Sequence, residues 1–156
     1  MIIKENKKSA IFAGIAGVVL IILSIIAVFE GYGGSAVFGL VVGVISVLAC
    51  VKKLLSNNFL EILDDGFVIE KNKKMAKFNF KDIKKIDTKT MESKKNIQVL
   101  NIEFKKPYKG EDKFNFLRFY CDKEAVLPDI YEKSFYEITK ILKDSLENQK
   151  SDSLKA

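Results

Sequence analysis

Two pairs of acids, Asp64-Asp65 and Glu111-Asp112, are the side chains in this 156-residue chain best placed to exchange a proton. Each pair adjoins a glycine, Gly66 or Gly110, in a stretch that reads as a turn, where Asp is favoured for backbone reasons alone. They are therefore expected to shape turns and not to catalyse. The chain has no His, so it lacks the commonest general base, the commonest zinc ligand and the usual partner of a Ser or Cys nucleophile. Cys50 and Cys121 are too few for a disulfide framework and form no CxxC pair, and both are expected to be buried, inert thiols. Reactive thiols, or acylation of Cys50 at the end of an apolar run, are the alternatives. The acids never fall into a calcium-loop pattern, and the glycines open no phosphate-binding loop. No catalytic, cofactor or metal residue is expected, and the chain reads as a protein that is not an enzyme.

The lysines carry more information. Residues 71–113 hold 14 Lys against 6 acids, and Arg118 is the sole Arg. Lys in place of Arg points to general electrostatics and not to bidentate phosphate recognition. Lys52 and Lys53, just after an apolar run, and Lys71, Lys73 and Lys74, at a turn, are the residues expected to meet an anionic leaflet. Each Lys near such a surface contributes on the order of 1 kcal/mol. The competing reading is a solvated strand face. Nucleic acid is not an expected partner, because no basic helix is present.

The elements that position these residues divide into two solvents. Residues 9–55 are almost wholly apolar and residues 56–156 carry most of the charge, although the mean hydropathy is only +0.07. Residues 9–29 contain no charge and span roughly 32 Å as a helix; residues 33–51 span roughly 28 Å. Both suffice to cross a hydrocarbon core of about 30 Å. The first run is longer than a signal-peptide core of about 7–15 residues, and a second follows at once, so a retained transmembrane hairpin over 9–55 is expected. Lys4, Lys7 and Lys8 precede it, Lys52 and Lys53 follow, and residues 30–34 carry no Lys or Arg. The positive-inside rule then puts both termini in the cytoplasm of a multi-pass cell-membrane protein. Ala10, Gly14 and Gly17 on the first helix, and Ser35, Gly39 and Gly43 on the second, are small residues at near-helical spacing. They are expected to pack within the hairpin, with homo-oligomerisation or docking onto another membrane protein as the alternative.

After residue 55 the period changes. Strands are expected at 59–63, 67–70, 75–80, from 81 onward, at 97–104 and at 113–121, with turns at Asp64-Asp65-Gly66, Asn72-Lys73-Lys74 and Pro107 to Gly110. Pro128 reads as the first residue of a helix, followed by Ile130, Tyr131, Phe135, Ile138, Ile141, Leu142 and Leu146 along one face. Residues 148–156 have no apolar period and read as a flexible tail. The resulting division is a cytoplasmic N-terminal segment (1–8), a transmembrane hairpin (9–55), a cytoplasmic domain (56–147) and the tail.

The stretch 60–87, with strand, Asp-Gly turn, strand, short turn, strand and then Phe80-Lys81-Asp82-Ile83, resembles the opening of bacterial pleckstrin-homology-like (PH-like) domains. A domain of this kind behind a two-helix hairpin is similar to small membrane proteins of the YcxB-like and related PH-domain groups. Phe80 stands where such domains often carry Trp. The resemblance implies an α+β domain, a partial β-barrel of about six to seven strands capped by one C-terminal amphipathic helix. It implies no catalytic residues. The function expected is that of a non-enzymatic, membrane-anchored interaction module that binds or regulates another membrane component. Sensing of anionic lipid headgroups is one alternative, and a bacteriocin-immunity-like or stress-related accessory role, by fold-level analogy, is another.

Overall fold

A computed structural model describes residues 1–91, 97–110 and 116–153. It separates into two compact units, one comprising residues 6–56 and the other residues 1–5 with 57–156.

The first unit is a helical hairpin, α1 (Lys8–Phe29) and α2 (Gly33–Leu55). Both helices are long and apolar enough to span a membrane. Gly31, at φ +89°, turns the chain between them, a conformation that a Cβ would strain. The Lys7 ammonium donates to the Leu54 carbonyl at 2.7 Å, placing a cation at the negative end of the α2 dipole.

The second unit is α+β. Strands β1 (Ile2–Lys4), β2 (Phe59–Ile62), β3 (Gly66–Lys71) and β4 (Lys74–Asn79) form one antiparallel sheet in that order. A 3-10 turn over Phe80–Asp82 leads to β5 (Ile83–Met91), which pairs with β6 (Ile97–Phe104) in a second sheet. That sheet continues with β8 (Glu124–Leu127) and ends on the two-residue β7 (Arg118–Phe119), in the order β5-β6-β8-β7. Helix α3 (Phe135–Ser153) follows. No strand pairing joins the two sheets among the described residues, so there is no closed barrel.

Alternation explains the packing. In β2 and β3, Leu60, Ile62, Phe67 and Ile69 are buried, and on α3 so are Ile138, Leu142 and Leu146 at i, i+4 and i+8. Phe78, Phe80, Ile83, Ile86, Leu100 and Ile102 complete the middle of one continuous core. Each fully buried side chain of this kind contributes about 1.5–3 kcal/mol.

Four features differ from the sequence reading. Residues 2–4 are a strand, with Ile3 in the core and in register with Leu60. Of the strand expected at 113–121 only Arg118 and Phe119 pair, residues 111–115 lying outside the described residues; the short buried run Ala125-Val126-Leu127 forms the inner strand instead. The final helix begins at Phe135, not at Pro128, because Ser134 and Glu137 make a reciprocal capping box: Ser134 N–H donates to Glu137 Oε2 at 3.0 Å, and Glu137 N–H to Ser134 Oγ at 3.3 Å. The same helix continues past residue 147 to Ser153.

Candidate functional site

The small residues of the hairpin come first. A Cβ on Gly17 would lie 2.9 Å from the Gly43 carbonyl oxygen, and one on Gly43 would lie 2.8 Å from that of Gly17. One on Gly14 would sit 2.9 Å from Cys50 Cβ, and one on Gly39 would collide with Ser24 Oγ. These four glycines let the two backbones approach. Ala10 is half-buried. Ser35 is exposed, and its hydroxyl bonds back to the Tyr32 carbonyl within α2. The buried partners that a spacing of four does not reveal are Ser24, Ala36 and Cys50. A spacing of seven finds them: Ala10, Gly17, Ser24 on one helix and Ala36, Gly43, Cys50 on the other, a repeat that favours left-handed packing.

The lysines divide by element. Lys52 and Lys53 lie in the last turn of α2, where Ser56 Oγ bonds the Lys53 carbonyl. Lys71, Lys73 and Lys74 surround the two-residue β3–β4 turn, in which Asn72 (φ 54°) and Lys73 (φ 64°) are both left-handed, the type I′ geometry that matches strand twist. Lys73 and Lys74 are exposed.

This turn is tied to the point where the chain leaves and re-enters the domain. Asn58 Oδ1 accepts from the Asn72 N–H at 2.8 Å, and Asn58 Nδ2 donates at 2.8 Å to the carboxylate of Glu5. Glu5 is only 2% exposed. Burial first, and the charge of Glu5 second, push the Tyr131 hydroxyl well above its ordinary range, so it stays protonated beside that carboxylate.

Two further clusters were not anticipated. On the second sheet the Tyr120 hydroxyl donates to Glu124 and lies 2.5 Å from Asn101 Oδ1. The Lys89 ammonium donates to Glu124 at 2.9 Å and stands 5.1 Å from the Tyr120 ring centroid. Hydrogen bonds from Tyr120 and then Lys89 hold the Glu124 carboxyl below its ordinary range, and the bond to Glu124 raises Lys89. Desolvation, then that same carboxylate, push Tyr120 up to about 12. All three groups are thereby held in one protonation state near neutrality.

The second cluster is a cleft of about 350 Å³ between the end of β4 with its 3-10 turn and the segment following β6. Five lysines line it: Lys77, Lys81, Lys105, Lys106 and Lys109. The Lys105 N–H donates to the Asp82 carbonyl at 2.8 Å and closes the floor. The Tyr108 ring forms a wall, with centroids 5.5 Å from Phe78 and 5.4 Å from Phe104. Lys77 is paired with Asp65 at 2.6 Å, and its ammonium holds that carboxyl below its ordinary range. Among the described residues, Lys81, Lys105, Lys106 and Lys109 form no ion pair, unlike Lys84, Lys85 and Lys89 on β5. The sequence signal was present as the lysine excess over 71–113. Which lysines converge depends on two segments more than twenty residues apart meeting in space.

Cys50 is buried, whereas Cys121 is exposed on the β7–β8 connection, contrary to the expectation of a buried thiol. Among the described residues no three His, Cys, Asp or Glu side chains converge as metal ligands. No family model, no curated protein and no solved structure matches the chain.

Proposed function

We propose that the chain is a non-enzymatic, membrane-anchored interaction module whose hairpin crosses the bilayer twice and holds a PH-like domain on the cytoplasmic side. The observation that carries this reading is the pairing of β1 with β2. The two strands flank the hairpin in sequence and lie side by side in one sheet, which favours a hairpin with both ends on the same side of the membrane. The pairing also argues against a cleaved leader, since cleavage after α1 would strip Ile3 from the core.

The hairpin itself favours lipid as its solvent. At 1.5 Å per residue its helices are about 33–35 Å long. Only 17% and 11% of their most apolar windows are buried, and Phe12 and Phe38 are 79% and 72% exposed. A core helix of a soluble protein would be covered. The lysines at both ends and their absence from residues 30–34 favour cytoplasmic ends by the positive-inside rule. Lys71, Lys73 and Lys74 cluster at the β3–β4 turn that Asn58 holds, and such a cluster supports contact with an anionic leaflet.

Two antiparallel sheets followed by a C-terminal helix support the PH-like reading. The pinned Tyr120, Lys89 and Glu124 favour a structural role for the most polar cluster over proton transfer. For contact with a partner, β4 offers an edge strand with Met75 58% exposed, suited to strand addition. A photo-crosslinking residue at Met75 in the membrane-embedded full chain should yield one discrete protein adduct. Adducts with lipid alone, or turnover of a substrate by the purified chain, would refute the module reading.

A further inference from the structure

The cleft walled by Lys77, Lys81, Lys105, Lys106 and Lys109 has no role in the anchoring reading. We infer that it is a binding site for a compact polyanion carrying two or more phosphate groups.

Four of its five lysines form no ion pair among the described residues, while the lysines of β5 are each paired. With Asp65 and Asp82 counted against them, the cleft retains an excess of three positive charges. Clustering like charges around a concavity raises the free energy of the empty site, and a bound anion relieves it. Glu111 and Asp112 follow in sequence and lie outside the described residues. The volume of about 350 Å³ sits at the small end of the range for ligand pockets. It suits a diphosphate-sized group better than a nucleotide. Ammonium groups act as point charges and fix no planar geometry, so the site selects for charge density and not for one phosphate ester.

β4 begins at Lys74, beside the turn tied to Asn58, and runs away from it to Asn79. Five residue steps of strand cover about 17 Å. The cleft lies at that far end, so its lysines act as a group separate from Lys71, Lys73 and Lys74. A free phosphate compound and a lipid headgroup carry the same chemistry, and the test separates the two sources.

The test uses the full chain in phosphatidylcholine nanodiscs, titrated calorimetrically with inorganic pyrophosphate and with orthophosphate. Saturable pyrophosphate binding is expected, tighter than orthophosphate by about tenfold and weakened by salt. The variant K81Q/K105Q/K106Q should lose about tenfold or more in affinity, and single Lys81→Gln and Lys106→Gln variants should each lose a smaller part. K71Q/K73Q/K74Q, at the other end of β4, should bind as the parent does. An unchanged melting temperature shows that each variant is folded. Absence of saturable binding, or equal affinity in the cleft variants, would overturn the site. Pyrophosphate binding that persists when phosphatidylglycerol is in the nanodisc assigns the cleft to a soluble ligand, and binding that phosphatidylglycerol abolishes assigns it to a headgroup. Failure of the anchoring reading appears separately, in the labelling of residue 32.

Discussion

Asn58 holds the buried carboxylate of Glu5 with its amide nitrogen and the Asn72 N–H with its amide oxygen, each at 2.8 Å. One side chain thereby joins the strand that enters the hairpin, the strand that leaves it and the β3–β4 turn. Asn58→Ala removes a partner from a carboxylate that water cannot reach. The expected cost is about 1–3 kcal/mol. Thermal denaturation of the full chain in detergent, followed by circular dichroism, checks it.

The hairpin seam predicts a crosslink. A Cβ on Gly39 lies 3.5 Å from Ser24 Cβ, at the short edge of the disulfide range of about 3.5–4.5 Å. With Cys50 and Cys121 replaced by Ala, S24C/G39C should oxidise to an intramolecular disulfide, read as a shift on a non-reducing gel. S24C/S35C, in which Ser35 faces outward, should not.

Local strain at the β3–β4 turn predicts a stabilising change. Lys73 adopts φ 64°, where a Cβ is disfavoured. Lys73→Gly should raise stability by about 0.5–1 kcal/mol, because the strain it removes exceeds the entropy gained by the unfolded chain. A higher denaturation midpoint with an unchanged slope is the expected result.

The start of α3 gives a pH dependence. The Ser134 backbone N–H and then its hydroxyl hold the Glu137 carboxyl below the ordinary value of 4.5. A depressed folded-state pKa stabilises above the unfolded value, and that contribution disappears as pH falls through the folded one. Helicity should therefore fall below about pH 4.5 more steeply in the parent than in Glu137→Gln. Ser134→Ala should cost about 1 kcal/mol at neutral pH.

Legibility in the sequence followed the range of the interactions. The apolar helices and the strands of 59–80 are set by local period and turn residues, and they stand where the pattern put them. β1 was missed because only Ile3 among its three residues reaches the core, and its partner lies more than fifty residues away. β8 escapes the linear pattern because Pro128 reads as a helix start directly after it. The signal that corrects this, Ser134 with Glu137 three residues on, was there to be read. The basic cleft was visible as composition and invisible as a place, since no linear pattern says that Lys81 and Lys106 share a wall.

Because Glu5 and Asn58 are neighbours, with the Glu5 N–H bonded to the Asn58 carbonyl at 3.1 Å, the hairpin occupies the position of a tight β1–β2 turn. Replacing residues 6–57 with Asn-Gly, which favours the type I′ turn, should give a water-soluble, cooperatively folding domain. Deleting residues 1–56 instead removes Ile3 and β1, and that product should unfold at markedly lower denaturant.

The central claim is an anchor with both ends on one side, and cysteine accessibility tests it most directly. In a full chain with Cys50 and Cys121 replaced by Ala, Tyr32→Cys, Lys4→Cys and Lys123→Cys are made singly. Each is exposed to a membrane-impermeant maleimide on intact cells. The account predicts labelling at position 32 without permeabilisation, and at positions 4 and 123 only after it. Labelling of positions 4 and 123 from opposite sides, or of position 32 only after permeabilisation, would contradict it.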